Sequence, residues 1–206
     1  MGDQIKAVID ADFFIKATEY EQGTSLFMQI MHDLNMHPVM HRFVAYTELK
    51  SSPYLPTLIS NCQLTVIDYE DYLLGDKDRE EYDEYFRDAF ERLNRFSFPE
   101  KDDIYKYTQP NESLGEIRSL YMAMKNNYCY FMSDDSGSKF LAKNFFSSKH
   151  TVNIMSLYDA LIQCKEQGTC LTWKEINPTV TNAMRSRQDK IVNLQNLYRT
   201  KTDTNT

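Results

Sequence analysis

The chain has 206 residues, 42% of them hydrophobic and 26% charged, which suits one globular domain with an extension better than two independent domains. No uninterrupted apolar run approaches the ~18 residues of a membrane span, and the first six residues lack the basic start and long apolar middle of a secretory signal, so a cytoplasmic protein with no membrane partner is expected. A formal charge of −7 argues against indiscriminate phosphate binding, but the charge is segregated: Asp68 to Asp103 carries net −8 and Leu171 to Thr206 net +3.

In chain order, Ile5 to Lys16 is an apolar, strand-like run ending in two carboxylates, Asp10 and Asp12. An acid delivered from the carboxyl end of a buried strand is how open α/β sheets furnish a ligand crevice, although Asp12 could equally cap the next helix. Phe13 to Tyr20 is expected to form a short helix broken by Gly23. Thr24 or Ser25 then caps a helix through Leu26, Phe27, Ile30, Met31 and Leu34, which Asn35 and Pro38 end. The chain is extended at Val39 and Met40 and turns helical near Arg42, with Phe43, Tyr46 and Leu49 on one side and Glu48 near its end.

Cys62 to Ile67 alternates and holds β-formers, which predicts a strand. Asp68 to Asp103 predicts one or two amphipathic helices in an inserted segment, its acids forming a solvated face or, less simply, meeting a basic partner. At Ser113 to Glu116 the S-L-G-E pattern reads as a capping box opening a helix that Asn126-Asn127 closes. Glu116 is thus a site acid or a cap, with Glu112 one turn earlier on the same face.

Tyr128 to Ser133 is a short aromatic strand that again ends in carboxylates, Asp134 and Asp135. A helix follows, with Lys139 and Lys143 on one face. Thr151 to Met155 predicts a strand and Ser156 to Gln167 a helix stopped by Gly168. Thr172 to Glu175 can cap a further helix that Asn177-Pro178 interrupts, and Thr179 to Tyr198 predicts a mildly basic tail helix before a disordered end at Lys201 to Thr206. Strands alternating with helices indicate a central parallel sheet covered on both faces, a three-layer α/β/α sandwich. Residues 1–168 would form it, with the acidic helical insertion at about 68–108 and the C-terminal helical extension at 169–206.

Cys62, Cys129, Cys164 and Cys170 form no C-x-x-C pair, so reduced, mostly buried thiols are expected. His32, His37, His41 and His150 show no zinc-site spacing, and His32 and His37 read as surface or helix-end residues. The acids are the chemical signal. D-x-D and D-D at two strand ends, with a Glu on each of two helices, gather carboxylates at one end of a parallel sheet. Such a cluster repels itself and asks for a cation. Oxygen-only donors favour Mg²⁺ or Mn²⁺, ions suited to phosphodiester cleavage.

In A-V-I-D-A-D-F-F at the first strand, Y-T-E-L at Tyr46 to Leu49, S-L-G-E-I-R-S-L-Y-M-A at Ser113 to Ala123 and Y-F-M-S-D-D-S-G-S-K-F-L-A at Tyr130 to Ala142, the chain resembles the PIN domains. The resemblance runs from Ile5 to about Ile162. It implies an α/β/α fold and a Mg²⁺- or Mn²⁺-dependent ribonuclease, often the toxin of a toxin–antitoxin pair and often dimeric, so that RNA, an antitoxin and a second copy are the implied partners. Carried over by position, the family's acids fall on Asp10, Glu48, Glu116 and either Asp134 or Asp135, with Asp12 as an added ligand. Lys139 and Lys143 would contact phosphate. Asp12, where the family usually has a small polar residue, and the long acidic insertion both depart from the pattern. The alternatives are a catalytically inactive PIN-like module that binds protein partners, and, ranked last, a haloacid-dehalogenase-like phosphatase using D-A-D, disfavoured by Phe13 and Phe14.

Overall fold

The computed structural model describes residues 4–18, 23–109, 113–145 and 151–199. The expectations for Tyr20, Glu112 and Lys201 to Thr206 lie outside the described residues. Among these, five strands form one sheet in the order β3-β2-β1-β4-β5, every pairing parallel. The strands are β1 (Ile5–Ile9), β2 (Met36–His41), β3 (Thr65–Ile67), β4 (Tyr130–Met132) and β5 (Asn153–Met155). The chain builds outward from β1 through β2 to β3, then returns to the other side of β1 with β4 and β5. The order therefore reverses between β1 and β4, the place where open α/β sheets leave a crevice at the strands' carboxyl ends.

The period-2 alternation of a strand decides the layers. On β1, Ala7 and Ile9 face one core and Val8 the other. The first core receives Phe13, Phe14 and Ala17 of α1 (Ala11–Thr18) and Leu26, Phe27, Ile30 and Met31 of α2 (Thr24–Asp33). It also takes Leu55 and Leu58 of α3 (Leu55–Ser60). The second receives Tyr82, Phe86, Ala89 and Phe90 of α4 (Asp76–Asn94), Ile117 and Leu120 of α5 (Leu114–Lys125) and Leu141 of α6 (Ser136–Phe145). The α/β/α sandwich expected from the alternation of elements is present.

α4 carries the acidic segment as one helix whose apolar side is closed into the core, while outward acids pair along the helix, Arg87 with Asp83 at 2.9 Å and Arg92 with Asp88 at 2.8 Å. At the C-terminal side, α7 (Leu157–Glu166), α8 (Trp173–Ala183) and α9 (Gln188–Tyr198) complete the first layer, with Ile176, Val180, Leu194 and Tyr198 in its core.

Several local expectations change. Pro178 does not interrupt its helix; it lies inside α8, and the break falls at Met184 to Arg187 instead. The carbonyl that Pro178 leaves without a partner belongs to the exposed first turn at Lys174, where water can take it, while Ile176 and Val180 pin both sides of the proline in the core. The cap of α2 is Gly23, with no side-chain hydrogen bond from Thr24 or Ser25. Three of the four cysteines, Cys62, Cys129 and Cys170, are exposed; Cys164 alone is buried. His37 lies within β2 rather than at a helix end. Among the described residues, no helix is long and apolar enough to cross a membrane.

Candidate functional site

The backbone ladder runs on past the strand ends, Asp10 N–H donating to the Met132 carbonyl at 3.1 Å and Ser133 N–H to the Met155 carbonyl at 3.0 Å. Asp10 and Ser133 are thereby held side by side at the reversal point. Both are shut off from solvent, Asp10 at 2% exposure, and the Ser133 hydroxyl donates to Asp10 Oδ2 at 2.9 Å. The same hydroxyl oxygen accepts from Asp135 N–H and from Ser138 Oγ, each at 3.1 Å. Ser133 therefore couples the first strand's acid to the fourth's, a role nothing in its local sequence announces.

Glu48 reaches the crevice from a different device. Val44–Glu48 is a π-helical turn, closed by Leu49 N–H to the Val44 carbonyl at 2.9 Å. The wide turn shifts the helical phase, and of the residues expected on one side Leu49 is buried while Tyr46 is 56% exposed. The Glu48 carboxylate lies over Gly115 at the start of α5, where a Cβ would stand 2.5 Å from Oε2. Glu116 follows. Ser113, in a left-handed conformation (φ 49°), makes no side-chain cap bond, so the expected capping box is not formed and Glu116 is not spent on it.

Glu48, Glu116 and Asp135 line one cavity of about 740 Å³ together with Phe43, Thr47 and Lys50. Burial, then the charges of Glu116, Asp12 and Glu48, raise the Asp10 pKa well above the carboxylate range. Burial also drives Glu116 up to about 7, helped by Asp135 and Glu48 and opposed by its own backbone N–H. Glu48 is likewise pushed up to about 7 by the protein around it, against the pull of the Arg118 guanidinium and the Gly115 N–H. Solvent reaches the exposed Glu48, which weakens the effect there; Asp10 is the stronger instance. Three acids reluctant to ionise together are the electrostatic mark of a gathered cluster.

The two aspartates after β4 separate. Asp134 Oδ1 accepts from Leu157 N–H at 3.1 Å and Oδ2 from the Lys16 ammonium at 3.0 Å, tying β4 to α7 and α1. Asp135 is the one that lines the cavity. Asp12 neither caps nor enters it: Oδ2 binds the same Lys16 at 3.2 Å and Oδ1 accepts from Asp134 N–H at 3.4 Å. Burial pulls the Lys16 pKa down, but the two carboxylates leave it raised. Lys139 and Lys143 are exposed on α6, outside the residues that line the cavity. His41 is buried and neutral, its pKa lowered to about 3 by burial and by Arg118 and Arg42. Its Nδ1 accepts from Phe43 N–H, so Nε2 donates to the Tyr72 hydroxyl at 3.1 Å.

As a cation site the donor set suits a hard, oxygen-preferring ion in chemistry but not in spacing. Among the described residues, no three of His, Cys, Asp and Glu stand where they could hold one metal ion. Compared with protein-family models, with curated proteins and with solved structures, the chain finds no match.

Proposed function

We propose that the chain is a PIN-like domain that acts as a protein-interaction module rather than as an assembled metal-dependent nuclease. One observation carries this reading: the Lys16 ammonium lies between Asp12 and Asp134 at 3.2 and 3.0 Å, a tethered cation where carboxylates at the strand ends would otherwise invite a free one. The lack of any three-donor metal group among the described residues agrees with it. The partner-binding faces would be the outward acids of α4, such as Glu80, Glu84 and Glu91, and the exposed bases Arg185 and Arg187 between α8 and α9.

A specific observation favours a second reading, a Mg²⁺- or Mn²⁺-dependent endoribonuclease. Asp10, Glu48 and Glu116 all resist ionisation beside a cavity that Asp135 also lines. On this reading Asp10, Glu48, Glu116 and Asp135 are the functional acids, and an antitoxin-like protein or a second copy is the partner. Two measurements on the wild type and on Asp10→Asn separate the readings: melting temperature against Mn²⁺ concentration, and cleavage of a mixed RNA with Mn²⁺. The module reading expects no Mn²⁺-dependent rise in melting temperature and equal, background cleavage by both proteins. Cleavage present in the wild type and lost in Asp10→Asn overturns it in favour of the nuclease.

A further inference from the structure

A cavity of about 400 Å³ lies between the π-helical turn and α3 and shares Lys50 with the carboxylate cavity. Its chemistry is the opposite. Ala45 and Leu49 on one side, and Leu55, Pro56 and Ile59 of α3 on the other, give it an apolar wall. Tyr46, 56% exposed, adds a ring at its mouth. Apolar surface left open to water gains by being covered, and the volume falls within the range of small-molecule sites.

The polar groups beside the wall decide what can cover it. Lys50 is exposed and, among the described residues, has no ion-pair partner. No acid lines this cavity: Glu48 is turned away from it, over Gly115, and Glu116 and Asp135 line the neighbouring one. Ser52 Oγ accepts the Tyr54 and Leu55 N–H groups at 3.4 Å each, which leaves its own hydrogen to give to a ligand. An uncompensated ammonium and a hydroxyl donor at the edge of an apolar wall select an anion, in a chain whose net charge of −7 otherwise repels one. The wall sets the rest of the ligand. A multiply charged anion would have to bring its charges against leucine and isoleucine without partners, which is costly, whereas an alkyl chain with a single charge at one end matches both parts.

We propose that this cavity binds a small aliphatic monocarboxylate of medium chain length, the class of a free fatty acid. The alkyl chain lies against Leu49, Leu55 and Ile59 beside Tyr46, and the carboxylate meets the Lys50 ammonium and the Ser52 hydroxyl. The site goes beyond both the module and the nuclease readings, since none of the gathered acids takes part in it.

The test is isothermal titration calorimetry of the full chain with hexanoate, octanoate and decanoate, kept below micelle formation, beside octylamine and octanol. Octanoate should bind at a single saturable site and more tightly than octanol or octylamine. Affinity should rise about three- to fourfold for each methylene added along the carboxylate series. Methyl NMR should place the shift changes on Leu49, Leu55 and Ile59. Lys50→Glu, at an exposed position that leaves the fold intact by circular dichroism, should weaken octanoate about fivefold or more and turn the preference toward octylamine. Lys174→Glu, exposed on α8, should change neither. Equal binding of octanoate, octanol and octylamine would overturn the carboxylate assignment and make the cavity a seat for a partner's apolar side chain. Absence of saturable binding, shift changes confined to methyls elsewhere, or octanoate binding that Lys50→Glu leaves unaltered would overturn the site itself.

Discussion

The Glu48 carboxylate occupies the space that a side chain at position 115 would fill: a Cβ on Gly115 would meet Oε2 at 2.5 Å and Oε1 at 2.6 Å. The G-E pair at the start of α5 is thus a matched device, the glycine admitting one acid and the next residue supplying another. Gly115→Ala forces the clash onto the far end of a flexible side chain, so Glu48 swings out while α5 gains helix propensity of about 0.5–1 kcal/mol. The melting temperature should stay level or rise slightly, and the Glu48 pKa, read by carboxyl NMR, should fall from about 7 toward the ordinary range. A large drop in stability, or an unmoved Glu48, would contradict this pairing of glycine and acid.

Lys16 ties α1 to the end of β4 through two carboxylates, and all three groups are only partly exposed, at 29% for Lys16, 33% for Asp12 and 20% for Asp134. Lys16→Met keeps the aliphatic stem and removes the charge. It should cost about 1 kcal/mol at neutral pH, visible as a melting point lower by about 2–4 °C in a chain of this size. The same variant frees the pair for Mn²⁺. A Mn²⁺-dependent rise in melting temperature seen in Lys16→Met and not in the wild type would mark Lys16 as the occupant of a cation position; equal behaviour would reduce it to a structural tie.

Ser133 is the hub between Asp10, Asp135 and Ser138. Ser133→Ala leaves a buried carboxyl, a backbone N–H and a hydroxyl without their partner, against the removal of a single oxygen. The expected destabilisation is about 2 kcal/mol, or some 4–8 °C in melting temperature, with no change in secondary structure by circular dichroism. A variant as stable as the wild type would show that the hub is dispensable.

What a sequence makes legible depends on the range of the interaction. The sheet and its layers follow from patterns within single segments, such as the alternation of Ala7, Val8 and Ile9, and strand ends carry their acids to the crevice by topology alone. Motif order suggests the gathering of Glu48 and Glu116 near Asp10, but that gathering rests on a π-turn and a glycine packed under a carboxylate that no local pattern encodes. Lys16 stands four residues after Asp12, a spacing that signals a helical pair, yet its tie to Asp134 spans 118 positions. Arg118 looks like one more polar residue on a helix surface and is instead fully buried. Ser113 and Glu116 show the opposite failure: the capping pattern is present, but the left-handed Ser113 cannot use it.

The raised carboxyl pKa values fix the sign of the pH dependence. Glu116 rises from 4.5 in the unfolded chain to about 7 in the fold, so between these values the folded state holds the extra proton. Stability from this group is therefore fully present below the unfolded pKa and is lost as pH rises through the folded one. Asp10 is raised as well and acts in the same direction. In EDTA the wild type should lose melting temperature from pH 5 to pH 8. Glu116→Gln, neutral throughout, should remove part of that slope, gaining about 1–3 kcal/mol over the wild type at pH 8 and nothing at pH 4. Parallel melting curves for the two proteins across this range would show that Glu116 ionises freely and that the carboxylates are not gathered.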